Sequence, residues 1–600
     1  MRKHLMTHFQ GFEWAPQEYL RGALAFERFF AAQGYVHQGE IPLQLADALV
    51  PATFSGSPAV ILGNPPWSGR SANRGRWIRA LLQGYQLANG YRDEGYFRVD
   101  GEPLGERNSK WLLDDYVKFL RFAQWKIDQR GEGLVAFVIN HNALDAPTFR
   151  GLRRSLLRTF DEIYALDLHG NRRKREISPE GGPDENVFAG IAQGAAILLL
   201  VKRPGLRKRT WRADFQGTRE VKLRQLGGGS VETISWTEVH PRSPHYLFAC
   251  GDAGLDREYR RGIPLTEIFP VWSPGIITGR DAWVTGFDRR EIEEGIARLR
   301  RTDIPEPKAN AVRGVGRLRK DSGWPRHLTS VLSRPFDVRH LFCAPYFLER
   351  PRRAVMGHML SGANLGLIVP RQSRQGPAAL VTRRMAGHKS VSVYNVNTLF
   401  PLYLYPQGSS ARIANLSPAL QRHLAERYGE APAPEAVLAY IYAVLYSPPY
   451  RRRFREQLHR DFPRIPFPLE AGGFRILAEL GEELLGLHLQ RDPRLWELAA
   501  RVEGDPKWPV GQFVYQEREH RLVTAEGGLC FEGIEPSIWR YQIGGYDVLS
   551  HWLKARRGRI LSWSEIEEVR RISEALRLTI KIEQRIAEAH EGATVEEATC

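Results

Sequence analysis

The chain has 600 residues, which is enough for several domains, and its 42% hydrophobic and 26% charged residues are typical of a globular protein. It carries 85 lysines and arginines against 68 acids, and this net charge of +17 favours a polyanionic partner, most simply nucleic acid. The four cysteines lie far apart and show no zinc or disulfide spacing. The longest apolar run, residues 194–201, is too short to span a bilayer. We therefore expect a cytoplasmic protein with no metal site and no membrane partner.

The N-terminal segment predicts a strand, a helix and a second strand, over residues 8–13, 16–33 and 41–45. Each predicted strand ends near an acid, Glu13 after the first and Asp47 after the second. In an open α/β sheet, acids at successive strand ends can hold the ribose hydroxyls and the adenine amine of a nucleoside cofactor. The order of the elements therefore indicates a cofactor site at this edge.

A rigid loop follows the next apolar run. Residues 59–62 predict a buried strand, which must end at the two prolines of the following loop. The loop consists of Asn64, Pro65, Pro66 and Trp67. The Asn64 amide oxygen and a proline-held carbonyl can both accept hydrogen bonds from one NH2 group, while the indole of Trp67 stacks on the base that carries it. This chemistry suits capture of a base taken out of a duplex.

Alternating elements follow. Residues 68–108 predict a polar loop rich in arginines and aromatics, and the apolar periodicity of residues 109–130 predicts a helix. Further strands are predicted over residues 134–139, 163–168 and 195–201, with a helix over residues 149–160. This alternation predicts an α/β sheet with crossover connections. The polar, glycine-rich stretch after residue 202 predicts a connector, and the capping box at Ser562 and Glu565 opens a C-terminal helix.

The chain resembles the methyltransferase and target-recognition portion of bacterial Type ISP-like restriction–modification enzymes and related phage-defence methylases. Nearly the whole chain takes part in this resemblance. The motifs that carry it lie at residues 11–13, 64–67, 114–122, 184–188, 279–281, 334–337, 368–372 and 541–546. The fourth of these reads Asp184-Glu185-Asn186-Val187-Phe188, and the last reads Tyr541-Gln542-Ile543-Gly544-Gly545-Tyr546.

The resemblance implies S-adenosylmethionine (SAM) as cofactor. It implies that Glu13 holds the SAM ribose, that Asp47 lies near its adenine, and that residues 64–67 grip the flipped target base. The expected fold is a partial Rossmann-like methyltransferase sheet over residues 1–205. A connector over 206–264, an α+β target-recognition domain over 265–480, and a C-terminal helical region over 481–600 complete the predicted plan.

Double-stranded DNA is the partner that the resemblance and the basic charge together imply. We expect the target-recognition domain to contact it, and the arginines expected among the contacts are Arg280, Arg317, Arg319 and Arg371. The glycine-rich loop that wraps the methionine end of SAM in this family is expected before Gly11, and no equivalent follows. We therefore expect an upstream segment or separately encoded chain to supply it, together with any nuclease or translocase part.

The predicted function is site-specific methylation of N6 of adenine in DNA. Trp67 departs from the usual Tyr or Phe of the adenine enzymes and leaves N4-cytosine open. The main alternative is a catalytically incomplete DNA-recognition subunit that needs a partner chain. Methylation of RNA or of protein glutamine uses similar loops and is a third possibility, which the long recognition-like half of the chain disfavours.

Overall fold

The computed structural model describes residues 11–13, 28, 43–45, 49 and 58–594, except for 68, 70, 72, 87–89, 91, 107–108, 173–175, 250–252, 302–313, 374–375, 407–410, 507–508 and 525–527. Two compact units divide the chain, Met1–Asp252 and Ala253–Cys600. In the part of the chain so described, no helix combines the length and the hydrophobicity that a membrane span requires.

A six-stranded mixed sheet is the frame of the first unit. The strands of this unit are β1 (Gly11–Glu13), β2 (Leu43–Leu45), β3 (Val60–Gly63), β4 (Arg98–Val99), β5 (Glu102–Pro103), β6 (Gly133–Asn140), β7 (Glu162–Asp167), β8 (Ala195–Lys202), β9 (Arg209–Asp214) and β10 (Thr237–Val239). The large sheet has the order β10-β9-β7-β8-β6-β3, and β1 pairs separately with β2. Strands β3, β6, β7 and β9 run in one direction, because β3 is parallel to β6, β7 is parallel to β9, and β8 is antiparallel to both β6 and β7. Their carboxyl ends therefore share one edge.

Helices cover the apolar faces of this sheet. They are α1 (Arg76–Gln83), α2 (Asp115–Arg130), α3 (Asn142–Asp145), α4 (Arg150–Thr159) and α5 (Arg219–Gly228). Helix α2 confirms most of the helix predicted at residues 109–130, but Ser109–Leu113 form a separate 3₁₀ helix before it. It begins at Asp114, whose side chain accepts a hydrogen bond from the Asp115 amide. It ends at Gly131, which has a left-handed φ of 90° that residues with a side chain rarely adopt.

Two stretches predicted to be irregular are folded. Helix α1 interrupts the predicted polar loop at residues 68–108, and the ring of Trp77 lies 5.3 Å from that of Trp125. Tyr96, in the same stretch, is completely buried. The predicted connector at 206–264 supplies β9 and β10 to the large sheet, so it is not a linker. The sequence prediction was wrong in both places, because charged residues there satisfy their polar groups inside the fold rather than in solvent.

The second unit is built from several small sheets. Its strands are β11 (Ile263–Pro264), β12 (Ser273–Pro274), β13 (Thr285–Gly286), β14 (Leu328–Arg334), β15 (Asp337–Phe342), β16 (Gly366–Pro370), β17 (Leu380–Thr382), β18 (Met385–Ala386), β19 (Asn397–Pro401), β20 (Tyr403–Leu404), β21 (Ile413–Ala414), β22 (Arg464–Ile465), β23 (Arg501–Gly504), β24 (Phe513–Gln516), β25 (Arg521–Thr524), β26 (Leu529–Glu532), β27 (Gln542–Ile543) and β28 (Tyr546–Asp547). Three sheets have four strands each, in the orders β12-β19-β16-β17, β13-β15-β14-β18 and β23-β26-β25-β24.

Helices join these sheets into one core. They are α6 (Ala253–Arg261), α7 (Leu265–Ile268), α8 (Asp281–Val284), α9 (Arg289–Arg300), α10 (Val315–Lys320), α11 (Arg353–Met356), α12 (Pro418–Tyr428), α13 (Pro434–Tyr446), α14 (Pro448–Arg453), α15 (Arg455–Leu458), α16 (Ala471–His488), α17 (Pro536–Trp539), α18 (Val548–Lys554) and α19 (Trp563–Thr594). Helix α13 is apolar almost all round and therefore lies in the interior. Helix α16 approaches it closely at Gly481, where an added Cβ would lie 1.9 Å from the Ala439 carbonyl oxygen.

The α/β first unit and the α+β second unit, with its long C-terminal helix α19, confirm the predicted fold class. The predicted helical region at 481–600 also contains the sheet β23-β26-β25-β24, which the sequence prediction missed. These strands are four residues each, too short for a clear alternating pattern.

Candidate functional site

The Asn-Pro-Pro-Trp loop leaves the sheet at the carboxyl end of β3. Gly63 ends the strand close to the ring of Phe137, because an added Cβ there would lie 3.4 Å from that ring. Asn64 and Pro66 are exposed, while Pro65 between them is buried. The loop is therefore anchored by one buried proline, with Asn64 exposed to solvent.

The indole of Trp67 turns back onto the sheet edge. It packs against an apolar cluster that contains Leu166 and Leu168, and Phe188 packs against the same cluster. The rings of Trp67 and Phe188 meet edge to face, with centroids 6.0 Å apart. The Nε1 atom of Trp67 is buried and has no hydrogen-bond partner among the described residues. Two aromatic rings from different loops therefore pack together at the edge from which the Asn64 loop leaves the sheet.

A buried lysine holds the segment that carries Phe188. Lys222 of helix α5 forms an ion pair with Asp184, and both side chains are almost completely buried. Its ammonium also donates to the carbonyl oxygens of Leu168 and Glu185, each at 2.7 Å. The second oxygen of Asp184 accepts from the Gly217 amide at 2.9 Å. All three protons of the ammonium thus take part in hydrogen bonds, which fix the backbone conformation of the segment before Phe188.

Asn186 fixes the next turn. Its Oδ1 accepts from the Phe188 amide at 2.8 Å, and its Nδ2 donates to the Gln193 carbonyl oxygen at 2.5 Å. Gly170 lies against the backbone of Asn186 at a φ of +78°, and an added Cβ there would lie 2.4 Å from the Asn186 Cα. The sequence prediction gave no role to residues 184–188 beyond their family likeness. Lys222 had no sequence feature that distinguished it from a surface lysine.

Charged side chains line the same edge beside the loop. His141 follows β6, and its Nδ1 lies 3.2 Å from the Oδ1 of Asp167 at the end of β7. Arg212 of β9 donates to the other Asp167 oxygen at 2.7 Å. Burial raises the pKa of Asp167, but the hydrogen bond from His141 and the positive charge of Arg212 outweigh it and hold that pKa far below its ordinary value. The carboxylate therefore stays ionised inside the protein.

A second imidazole lies further along this edge. His169 Nε2 is 2.8 Å from Asp214 Oδ1. Burial lowers the pKa of His169, but the hydrogen bond to Asp214 and the charges of Asp167 and Glu176 raise it above its ordinary value. The rings of His141 and His169 have centroids 6.4 Å apart. None of these residues was singled out from the sequence, because they are distant along the chain and meet only at the strand ends.

The predicted cofactor acids are located only in part. Glu13 is the last residue of β1, which is parallel to β2 and pairs there with Leu45. The backbone thus places Glu13 at the carboxyl end of its strand, as predicted. Its side chain and the whole of Asp47 lie outside the described residues, so their roles remain predictions.

The four arginines predicted to contact DNA fall into two kinds. Arg371 forms an ion pair with Asp461 at 2.6 Å, and Arg280 donates to the Phe347 carbonyl and lies over the Phe347 ring. Arg317 and Arg319 are exposed together on helix α10. The first two side chains are held within the unit, whereas the second two project from the surface.

An open α/β sheet with its loops and polar groups gathered at one carboxyl edge is an arrangement that holds ligands at that edge.

The family of the Type ISP C-terminal specificity domain matches residues 267–582, which is more than half of the chain. The chain therefore belongs to this family. A search of curated proteins found no match.

Three solved structures resemble nearly the whole chain. A cryoEM DrdV–DNA complex has 20% sequence identity and a TM-score of 0.75, and the match covers 97% of this chain and 64% of that one. A nuclease-deletion mutant of the Type ISP restriction–modification enzyme LlaGI with a DNA substrate mimic has 18% identity and a TM-score of 0.72, covering 97% and 51%. The ATP-dependent Type ISP enzyme LlaBIII bound to DNA has 16% identity and a TM-score of 0.72, covering 98% and 42%. The chain thus spans about two thirds or less of each relative, and the likeness establishes a shared fold.

Proposed function

We propose that this chain is the methylating and target-recognising part of a restriction–modification enzyme, and that it transfers a methyl group from SAM to N6 of adenine in DNA. The observation that carries the proposal is the Asn64 loop at the carboxyl end of β3, with Asn64 exposed and Trp67 set edge to face against Phe188. The family match over residues 267–582 supports the recognition role.

In this proposal the flipped adenine enters beside the two aromatic rings. Its amine donates hydrogen bonds to the Asn64 amide oxygen and to the Pro65 carbonyl, while Trp67 contributes stacking. Phe188 forms a second wall of the pocket, because its ring stands perpendicular to that of Trp67. Stacking on an aromatic side chain contributes about 1–3 kcal/mol per base. These contacts orient the nitrogen and leave its lone pair free.

SAM, when bound, supplies the electrophilic methyl group. On backbone placement Glu13 fits a contact with the ribose hydroxyls, since it ends a strand of a parallel pair. Transfer between two correctly placed groups gains an orientation advantage of roughly 7–11 kcal/mol. The part of this chain in that step is to hold the acceptor nitrogen in line.

The test is transfer of labelled methyl groups to adenine in duplex DNA, by a preparation that is active with the unaltered chain. Asn64→Ala is expected to abolish transfer while duplex affinity changes less than twofold, because binding rests on the second unit. Trp67→Ala and Phe188→Ala are each expected to weaken base capture by about 1–3 kcal/mol, and Trp67→Tyr is expected to be tolerated.

The matched control for the aromatic variants is Trp563→Ala, which removes an exposed indole at the start of helix α19. It is expected to leave transfer unchanged. Full activity of Asn64→Ala would refute the proposed role of the loop. Methyl incorporation into cytosine rather than adenine would keep the loop but change the target base.

A second candidate function is DNA recognition without activity until another chain or segment joins the sheet. The observation that favours it is the outer edge of β3. This strand pairs only with β6 among the described residues, and Val60 and Leu62 are 54% and 66% exposed. The prediction that this strand is buried was therefore wrong, because it lies at the edge of the sheet. Apolar side chains on a sheet edge normally contact another element. Measurement of SAM affinity by the isolated chain separates the two functions, because only the first requires a competent cofactor site.

A further inference from the structure

Two imidazoles and a carboxylate converge at the carboxyl edge of the first sheet, in a place that the proposed methyl transfer does not use. His141 follows β6, whereas His169 and Glu176 lie in the segment between β7 and β8. One nitrogen from each histidine and one oxygen from Glu176 lie within 4.8 Å of one another. Histidine and glutamate are both common ligands of transition metals.

Hydrogen bonding leaves one nitrogen of His141 available to a ligand. Its Nδ1 faces Asp167 Oδ1 at 3.2 Å, and an ionised carboxylate can only accept, so Nδ1 carries the proton. The Nε2 atom then has the lone pair. It lies 2.9 Å from the Asn171 amide nitrogen, which agrees with an accepting Nε2. A metal ion bound at Nε2 would replace this one hydrogen bond.

His169 is arranged in the same way. Its Nε2 faces Asp214 Oδ1 at 2.8 Å, which leaves Nδ1 as the nitrogen able to coordinate. Arg212 donates to both acids, Asp167 and Asp214. Each histidine therefore has a carboxylate behind it, and each carboxylate is itself held by a guanidinium. Metal-binding histidines characteristically donate their second ring nitrogen to a carboxylate in this way, which fixes the tautomer and the ring orientation.

Burial and charge distinguish this group from a surface cluster of acids. The side chain of His141 is 3% exposed and that of His169 is 17% exposed. Among the described side chains in direct contact, Asp167, Asp214 and Glu176 bring three negative charges, and Arg212 brings one positive charge. Partly buried carboxylates are costly unless they are paired or bind a cation. A divalent ion would offset part of this negative charge.

We propose that His141, His169 and Glu176 bind one divalent transition-metal ion, with Zn²⁺ the best match to two nitrogens and one carboxylate oxygen. A hard cation such as Mg²⁺ would prefer an all-oxygen site. Residues directly after β6, on the turn after β7 and in the following loop would then share one ion. That loop leads to Phe188, so the ion would fix one wall of the aromatic pocket.

The experiment uses the full chain, prepared without a histidine tag and stripped with a chelator. Zinc ions alone are titrated by calorimetry, and the metal retained after dialysis is measured. About one tightly held zinc per chain is expected. Cobalt ions are expected to give visible absorption without the thiolate charge-transfer bands that cysteine ligands would produce. Absence of retained zinc, or cobalt spectra dominated by thiolate bands, would overturn the proposal.

Variants locate the ion. His169→Gln and Glu176→Gln remove ligands at positions that are not completely buried, and each is expected to lower zinc affinity at least 100-fold. Asp214→Asn alters the carboxylate behind His169 and is expected to lower it about 10–100-fold. The matched control is His423→Gln, which removes an exposed histidine of helix α12 and is expected to leave affinity unchanged.

A second measurement guards against variants that fold poorly. Hydrogen exchange of peptides covering residues 168–194 is expected to slow when zinc is added to the unaltered chain. The same addition is expected to have no effect on Glu176→Gln, whose exchange without metal should match that of the stripped chain. Equal zinc affinity in the ligand variants and the control, or zinc protection that survives in Glu176→Gln, would refute the assignment.

Discussion

In the first unit, buried charges hold loops in place, whereas in the second unit mainly aromatic and aliphatic side chains join helices to sheets. Lys222 with Asp184 and Arg121 with Asp93 are ion pairs whose side chains are at most 1% exposed. The second unit has one comparably buried pair among the described residues, Arg556 with Asp337. Its core otherwise consists of a single extended apolar cluster.

The difference follows from what each unit must hold in place. Hydrogen bonds to charged groups are directional, so they can specify the path of a loop that has few apolar side chains. Apolar packing is not directional, but its close fit fixes how near two helices approach. The loop before Phe188 is an example of the first, and the crossing of α13 with α16 at Gly481 is an example of the second.

Removal of the buried ammonium should have the largest effect on the first unit. Lys222→Met leaves the Asp184 carboxylate buried without its cation, which is expected to cost about 3–5 kcal/mol. The measurement is the opening free energy from hydrogen exchange of peptides spanning residues 184–222. Arg158→Met, which breaks a half-exposed pair with Glu94, is the control and is expected to cost at most about 1 kcal/mol. If both variants had equal effects, buried charge would not be what holds this loop.

The second unit should be most sensitive to steric changes where its helices meet. Gly481→Ala would place a methyl group 1.9 Å from the Ala439 carbonyl oxygen, so the helices must separate. We expect a loss of roughly 1–3 kcal/mol in the unfolding free energy of this unit. Hydrogen exchange reports it on peptides from α13 and α16. Gly472→Ala, at an open position of the same helix, is expected to be neutral or slightly stabilising. A neutral Gly481→Ala would contradict the close crossing.

Acid should weaken the second unit through one buried imidazole. His488 contacts Tyr442 Oη at 2.6 Å and Thr579 Oγ1 at 2.9 Å, and burial lowers its pKa from 6.5 to about 3. Below pH 6.5 the histidine is protonated in the unfolded chain but stays neutral in the folded chain. The contribution of His488 to the free energy of unfolding is therefore intact above pH 6.5 and is lost as pH falls. The loss at pH 5 is about 2 kcal/mol.

The measurement for this histidine is the difference in unfolding free energy between pH 7 and pH 5, in the unaltered chain and in His488→Gln. The pH dependence should shrink by about 2 kcal/mol in the variant. His423→Gln is the control and should keep the full pH dependence. An unchanged slope in His488→Gln would show that other groups carry the acid sensitivity of this core.

The exposed arginines of α10 should have the smallest effect, because each would contribute one phosphate contact. Arg317→Ala and Arg319→Ala are each expected to lower duplex affinity about equally for all sequences, and to reduce the slope of log affinity against log salt by about 1. Arg289→Ala is the control, since this exposed arginine is paired with Glu293 at 2.7 Å. If the salt slopes of Arg317→Ala and Arg319→Ala equalled that of the unaltered chain, these two arginines would not be part of the DNA-binding surface.

Local sequence was sufficient for the elements that are regular and apolar. The periodicity of residues 109–130 predicted helix α2, and the apolar runs predicted β3, β6, β7 and β8 to within about two residues at each end. The Asn64 loop was also predicted at the end of its strand, because two successive prolines cannot continue a hydrogen-bonded ladder. These features depend on neighbours in the sequence, so the sequence alone determined them.

Tertiary structure decided which distant residues meet. Three contacts join residues from separate elements. They are the packing of Phe188 on Trp67, the hydrogen bond from Lys222 to Leu168, and the pairing of Asp167 with His141. No spacing in the sequence links them, because the strands that bring them together are ordered β9-β7-β8-β6 in space and not along the chain. The same reason explains why a charged stretch predicted as a connector supplied β9. Polar residues can be buried when the fold provides their partners, and the partners are known only once the sheet has formed.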